Sequence, residues 1–183
     1  MNPALEIQYC TRRGTLLWFF KTVFLLLATT STPAQASLTQ PTNTMEAGIH
    51  NAIMRGDAQE LRTLLGQAGK LSANDSAIAQ RALSSMGRLG AQDARLLAQR
   101  YGIDWANKVQ HALKTASDGP VKRALFQRYG SAEAVFAQVD KALNALSDLP
   151  NGKFIRTLLV DGMEVTVRAF KDGIAVIGTI EKW

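Results

Sequence analysis

The most constraining stretch of this chain is its last thirty-odd residues, where hydrophobic periodicity changes at Pro150 from helical to alternating. Residues 154–160 (FIRTLLV), 163–170 (MEVTVRAF) and 174–180 (IAVIGTI) are three short runs rich in β-branched and aromatic residues. Asp161-Gly162 separates the first two, and Lys171-Asp172-Gly173 the last two. Asp-Gly between such runs specifies a hairpin, because a type I′ turn needs positive φ at both central residues. The runs therefore predict a three-stranded antiparallel meander over residues 153–181. A two-residue first turn places Phe154, Leu158 and Val160 on one face with Met163, Val165 and Val167. Glu164, Thr166 and Arg168 then point the other way. The second turn is open. A Lys171-Asp172-Gly173 turn with a glycine bulge brings Ala175, Ile177 and Thr179 to the apolar face. A two-residue Asp172-Gly173 turn brings Ile174, Val176 and Ile180 there instead, since a one-residue slip reverses every side chain.

A meander of this size is marginal alone and needs a second layer. Residues 44–149 supply it, with repeated helix start and stop signals. Ile49, Ile53 and Met54 share one face of a first helix that ends at Gly56. Asp57 and Glu60 have the spacing of a capping box, ahead of Leu61, Leu64 and Leu65. Asn74 or Asp75 is expected to cap a third helix carrying Ile78, Ala82 and Met86. Gly66 and Gly69, and again Gly87 and Gly90, read as turns between helices. The expected fold class is α+β: a multi-helix body of helix-hairpin units, then the sheet, in one domain over residues 44–183.

The body contains an internal echo. Residues 95–102 read RLLAQRYG and residues 123–130 read RALFQRYG, 28 positions later. Each predicts a helix closed by Tyr-Gly, the glycine supplying a left-handed turn. A second helix follows in each case, striped by Trp105, Val109, Leu113 and Ala116 in one and by Phe136, Val139, Leu143 and Leu146 in the other. The punctuation also repeats, as Ser117-Asp118-Gly119-Pro120 and Ser147-Asp148-Leu149-Pro150. Duplication and a shared capping rule both account for this, and two copies fall short of a solenoid.

The opposite end has another character. Arg12 and Arg13 precede an apolar run from Leu16 to Ala28, interrupted by Lys21 and followed by Ala34-Gln35-Ala36. This is the pattern of a cleavable signal peptide over residues 1–36, with processing after Ala36. The run is 13 residues long, against the roughly 20 that span a bilayer, so membrane contact is expected only during export. The Arg pair partly matches a twin-arginine signal, and general export serves equally. A periplasmic or secreted product follows, with a polar leader at residues 37–43.

The lone cysteine, Cys10, lies in the signal. Residues 37–183 thus have no thiol for a disulfide, a thiolate metal site or a nucleophile. The signal holds Arg12, Arg13 and Lys21 against Glu6, which lowers the net charge from +6 to +4 for the remainder. So mild an excess does not by itself specify nucleic acid.

Motifs of chemistry are sparse. His50 and His111 stand 61 residues apart on helices, without ligand spacing. There is no G-x-S-x-G, no phosphate loop and no paired carboxylate on one helix face. No cofactor or metal is expected. Tyr101 and Tyr129 read as core packing or stacking platforms. Cations and hydroxyls gather on the predicted sheet instead: Lys153, Arg156, Thr157, Thr166, Arg168, Lys171, Thr179 and Lys182. Arg156 falls on the apolar face near its open end, where it needs a partner or an anion. Arg168 and Glu164, two apart, have the spacing to pair with each other.

The segment RYGSAEAVF at residues 128–136, followed by DGMEVTVR, Asp172-Gly173 and Ile177-Gly178-Thr179, resembles the carboxy-terminal modules of bacterial polymorphic secreted toxins of the contact-dependent growth-inhibition type. The resemblance covers about residues 128–180. It implies a small α+β effector acting on the RNA of a competitor cell, as a metal-free ribonuclease-like enzyme with its catalytic face on the sheet. On that implication Arg156, Arg168 and Thr179 contact phosphate and stabilise the transition state, and His111 or His50 carries the proton. The site chemistry by itself favours a second class, which the resemblance brings to near parity with the first: a non-catalytic periplasmic binding or adaptor protein, or an immunity-like one, that meets a protein partner through its helical surface.

Overall fold

The computed structural model describes residues 44–67, 71–114 and 118–183. The expected signal peptide at residues 1–36, Cys10, the leader at 37–43, Gly69, Ala116 and Ser117 lie outside these. The described residues form seven helices followed by a three-stranded antiparallel sheet, an α+β architecture: α1 (Thr44–Arg55), α2 (Ala58–Gln67), α3 (Ala73–Met86), α4 (Ala91–Tyr101), α5 (Trp105–Lys114), α6 (Pro120–Tyr129), α7 (Ala132–Asn144), β1 (Gly152–Val160), β2 (Met163–Asp172) and β3 (Ile174–Lys182). None of these helices is long and apolar enough to cross a membrane.

Local chemistry sets the helix ends. Gly56 adopts φ 69°, which lets its N–H donate to Ile53 O at 3.0 Å and that of Asp57 donate to Ala52 O at 2.9 Å. This pair of bonds satisfies the last carbonyls of α1. Asp57 Oδ1 then accepts the Glu60 N–H at 2.9 Å and starts α2. Gly66 is part of α2 rather than a turn between helices. The cap of α3 is Ser72, not Asn74 or Asp75. Its Oγ accepts the Asp75 N–H at 3.0 Å and donates to Asp75 Oδ2 at 2.6 Å, so Asp75 is the third-residue half of a box that begins two residues before Asn74. Gly102 and Gly130 close α4 and α6 at φ 80° and 78°. Only Gly130 has the left-handed ψ, and Gly102 turns instead into an extended conformation.

One hydrophobic cluster joins both layers. Ile49 and Ile53 of α1, Leu61, Leu97, Trp105, Leu125, Phe136 and Leu143 are fully buried. The sheet adds Leu158, Val160, Val165, Val167, Ala169, Ala175, Ile177 and Ile180. Helices α5 and α7 pack on this inner face. At the terminus Trp183 is buried edge-to-face against Phe126, ring centroids 6.4 Å apart.

In the first hairpin Val160 pairs with Met163 across Asp161 (φ 52°) and Gly162 (φ 77°), the two positive angles of a type I′ turn. The second hairpin uses both registers left open by the pattern. Asp172 pairs with Ile174, and Ala169 with Ile177, which turns Ala175 and Ile177 inward. Arg168 then pairs with Thr179, and Val167 with Ile180. Gly178 is therefore an extra residue in β3, and this bulge brings Ile180 inward where strict alternation would place Thr179.

Candidate functional site

The fold places the four residues singled out by the sequence in three surroundings. Arg156 lies on the helix-facing side, opposite Val167, and its Nη2 donates to Asp148 Oδ2 at 2.7 Å. That bond and the guanidinium charge hold the Asp148 carboxyl below its ordinary range. Arg168 points outward. Its partner is Glu181, at 2.7 Å, and not Glu164, because the β3 bulges bring Glu181 alongside. Thr179 is the cross-strand neighbour of Arg168. His111 is exposed on α5 and lines an open groove of about 330 Å³ with Asn107, Lys108, Ile177 and Gly178. Three of the four thus approach the Gly178–Thr179 bulge, Arg168 and Thr179 as a pair and His111 from the helical side. Arg156 does not join them.

Of the other cations and hydroxyls on the sheet, Lys171, Thr157 and Thr166 have structural work. Lys171 Nζ donates to Leu149 O at 3.0 Å, tying β2 to the segment after α7. Thr157 and Thr166 hydrogen-bond to each other across β1 and β2 at 3.0 Å. His50 is half-buried, with Nε2 3.9 Å from Asp75 Oδ1, far from His111 in the chain and in a different helix pair. Among the described residues no cluster of three or more His, Cys, Asp or Glu could hold a metal ion.

Tyr101 and Asp140 belong to one buried polar network, and Ser85 and Glu133 to another. Tyr101 donates to Asp140 Oδ1 at 2.7 Å and accepts the Ile177 N–H at 3.0 Å, while Arg100 pairs with Asp140 Oδ2. Burial pushes both the Asp140 carboxyl and the Tyr101 phenol up. In the second network Glu133 Oε1 accepts from Ser85 Oγ at 3.0 Å and from Arg88 Nη1 at 3.2 Å. Both tie α7 to other elements and neither opens into a cavity that could admit a substrate, so they read as structural.

The helical surface offers a different kind of place. Where the α1–α2 turn sits on the first turn of α4, an open cleft of about 710 Å³ is lined by Arg55, Ala58, Gln59, Met86, Leu89 and Arg95, among others. The backbones approach closely: a Cβ added to Gly56 would stand 2.6 Å from Ala91 O. Arg55 pairs with Glu60. Arg95 is exposed and makes no ion pair or hydrogen bond through its side chain with another described residue. The Arg95 guanidinium beside an apolar floor of Met86 and Leu89 suits a carboxylate borne next to an apolar side chain, with the Arg55–Glu60 pair and Asp57 on the opposite rim. Arg95 and Arg55 were missed by sequence reasoning. The available signal was the echo itself, since Arg95 opens the first RLLAQRYG copy, and the arginine directly before the Gly56 turn. Against known proteins, no family model, no curated protein and no solved structure matches this chain.

Proposed function

We propose that the chain is an exported, non-catalytic binding or adaptor protein that uses its helical surface, with the Arg55–Arg95 cleft holding an acidic and apolar segment of a protein partner. One contrast carries this reading. The sheet arginines expected to stabilise a transition state, Arg156 and Arg168, are each neutralised by a carboxylate of their own chain, as Arg55 is by Glu60, whereas Arg95 has no carboxylate partner among the described residues and stands over a cleft with an apolar floor. A bidentate contact to carboxylate is the strongest use of such a group. Export rests on the signal pattern of residues 1–36. The test is copurification from the periplasm. One stoichiometric partner should be retained by Arg156→Ala and Arg168→Ala and lost with Arg95→Glu. Loss with the sheet variants and retention with Arg95→Glu would sink the reading.

The approach of His111, Thr179 and Arg168 to one bulge supports a second reading, the toxin-type effector acting on RNA. It requires His111 to move a proton and Arg168 to leave Glu181 for phosphate. Expression of residues 37–183 in a bacterial cytoplasm should then degrade RNA and slow growth, and Arg168→Ala or His111→Ala should relieve both. Harmless expression with intact RNA removes this reading.

A further inference from the structure

Among the described residues, the large hydrophobic side chains left exposed are Ile155, Leu159, Phe170 and Ile174, at 57%, 68%, 44% and 58% of full exposure. All four lie on the outer face of the sheet, the side away from the helices, as the register requires. Scattered exposed hydrophobics are ordinary on any protein. Confinement to one small face is not, and an antiparallel sheet with a wet side normally alternates to polar there. We propose that this face is a self-association surface, covered in solution by the same face of a second copy of the chain.

Charge supports this occupant over others. By register the outer face carries Lys153, Arg168 and Lys182 against Glu164, Asp172 and Glu181, and is neutral. The whole chain is net +6, and +4 from residue 37 onward. The rest of the molecule therefore repels a second copy, and this face does not. A polyanion or an anionic membrane has no electrostatic reason to select it.

A closed pairing requires two-fold symmetry, with each residue met by its symmetry counterpart. With the dyad along the central strand β2, β1 of one copy lies over β3 of the other. Phe170 then meets its own copy, and Ile155 lies over Thr179 of the opposite sheet with Val176 as its diagonal neighbour. Lys153, which stands at the same end as Asp172, comes within side-chain reach of the copy's Asp172. An aromatic pair flanked by aliphatic contacts and two ion pairs is the expected anatomy of a small interface, apolar at its centre and polar at its rim. Strands of nine or ten residues in three ranks give a face of about 30 by 14 Å, or about 400 Å² per copy. That is roughly half the per-partner area of a standard stable interface. The dimer is accordingly a weak one, with dissociation in the micromolar range or above.

Sedimentation equilibrium of the chain from residue 37 onward, across roughly 1 μM to 1 mM, reads this directly. The expected result is a weight-average mass that rises with concentration and stops at twice the monomer. Phe170→Glu and, separately, Ile155→Glu should hold it at the monomer with unchanged circular dichroism. The absence of cysteine after residue 36 permits a second measurement. Mild oxidation should link Phe170→Cys to its own copy and leave Gln92→Cys, exposed on α4, unlinked. A monomer at every concentration, growth past the dimer, or equal cross-linking of the two thiol variants overturns the proposal.

Discussion

The phenolic oxygen of Tyr101 donates to Asp140 Oδ1 at 2.7 Å and accepts the backbone N–H of Ile177 at 3.0 Å. A single buried atom thereby joins the end of α4, the middle of α7 and the edge strand β3. The N–H of Ile177 lies on the unpaired side of β3, where an orphaned donor would be costly. Arg100, one residue earlier, pairs with the other oxygen of Asp140. The second copy of the echo repeats the arrangement at the surface. Arg128 Nε stands 2.9 Å from Asp161 Oδ2, and Tyr129 Oη donates to the same oxygen. Each Arg-Tyr-Gly segment thus grips one aspartate, a core residue in the first case and the hairpin turn in the second.

The difference in depth separates two substitutions that look alike on paper. Tyr101→Phe strands the Ile177 N–H and removes a donor from a buried carboxylate. It should lower the unfolding free energy by about 2–3 kcal/mol. Tyr129→Phe leaves Asp161 with Arg128 and with water, and should cost less than about 1 kcal/mol. Urea unfolding of both variants, with equal slopes, is the check. Equal losses would mean that the buried link to β3 adds nothing.

What was legible in the sequence followed from local rules. Asp161-Gly162 admits one kind of turn, so the β1–β2 register and its inner face of Leu158, Val160, Val165 and Val167 could be written from the letters alone. The stripe of Ile78, Ala82 and Met86 was equally plain. The bulge at Gly178 was not, because no local signal distinguishes a glycine that is skipped from one that is paired. The partners of the candidate arginines were hidden for a related reason. Asp148 belongs to a loop whose position depends on how α7 leads into β1, and Glu181 reaches Arg168 only through the β3 bulges. Ion pairs between segments are a product of the fold, and the fold had to be known first. Arg95 went unnoticed since its setting, a cleft between α4 and the turn after α1, joins residues 40 positions apart.

The bulge itself can be tested by length rather than by chemistry. A Cβ on Gly178 would meet Arg168 O at 3.5 Å, an ordinary contact, so Gly178→Ala should change stability by no more than about 0.5 kcal/mol. Inserting one glycine after Thr179 sets that glycine opposite Val167 and turns Ile180, now fully buried, toward solvent. That loss is about 1.5–3 kcal/mol for the isoleucine alone. Thermal and urea unfolding should show the insertion as severely destabilised beside a near-neutral alanine. A tolerated insertion would mean that β3 slips freely in register.

The Arg156–Asp148 pair makes a prediction in pH. The folded-state pKa of Asp148 lies below its ordinary value, first because of the Arg156 hydrogen bond and then its charge. The unfolded carboxylate titrates near about 3.9. The stabilising contribution is therefore present above that value and is lost as pH falls through the depressed folded pKa. Carboxyl-carbon NMR should place the Asp148 midpoint below the ordinary range, and Arg156→Ala should return it there. An unchanged midpoint in the variant would show that the guanidinium is not the cause.

Two glycines of the helical body should respond to alanine in opposite directions. Gly56 has φ 69°, and its added Cβ would stand 2.6 Å from Ala91 O and 2.9 Å from the Arg95 nitrogen, both backbone atoms of α4. A left-handed L-residue costs about 1–2 kcal/mol before any clash is counted, and overpacking adds about 1–3 kcal/mol. Gly56→Ala should therefore destabilise by about 2–5 kcal/mol and push the α1–α2 turn away from α4. Gly66, inside α2, has open space around its Cβ position. Gly66→Ala should stabilise by up to about 0.5–1 kcal/mol, through helix propensity and the smaller entropy of the unfolded chain. Because Arg55 and Arg95 sit on the two walls that Gly56 holds together, the first variant should also weaken partner capture at the cleft, and the second should leave it intact. Equal capture by both would separate the cleft from partner binding, whatever the stabilities show.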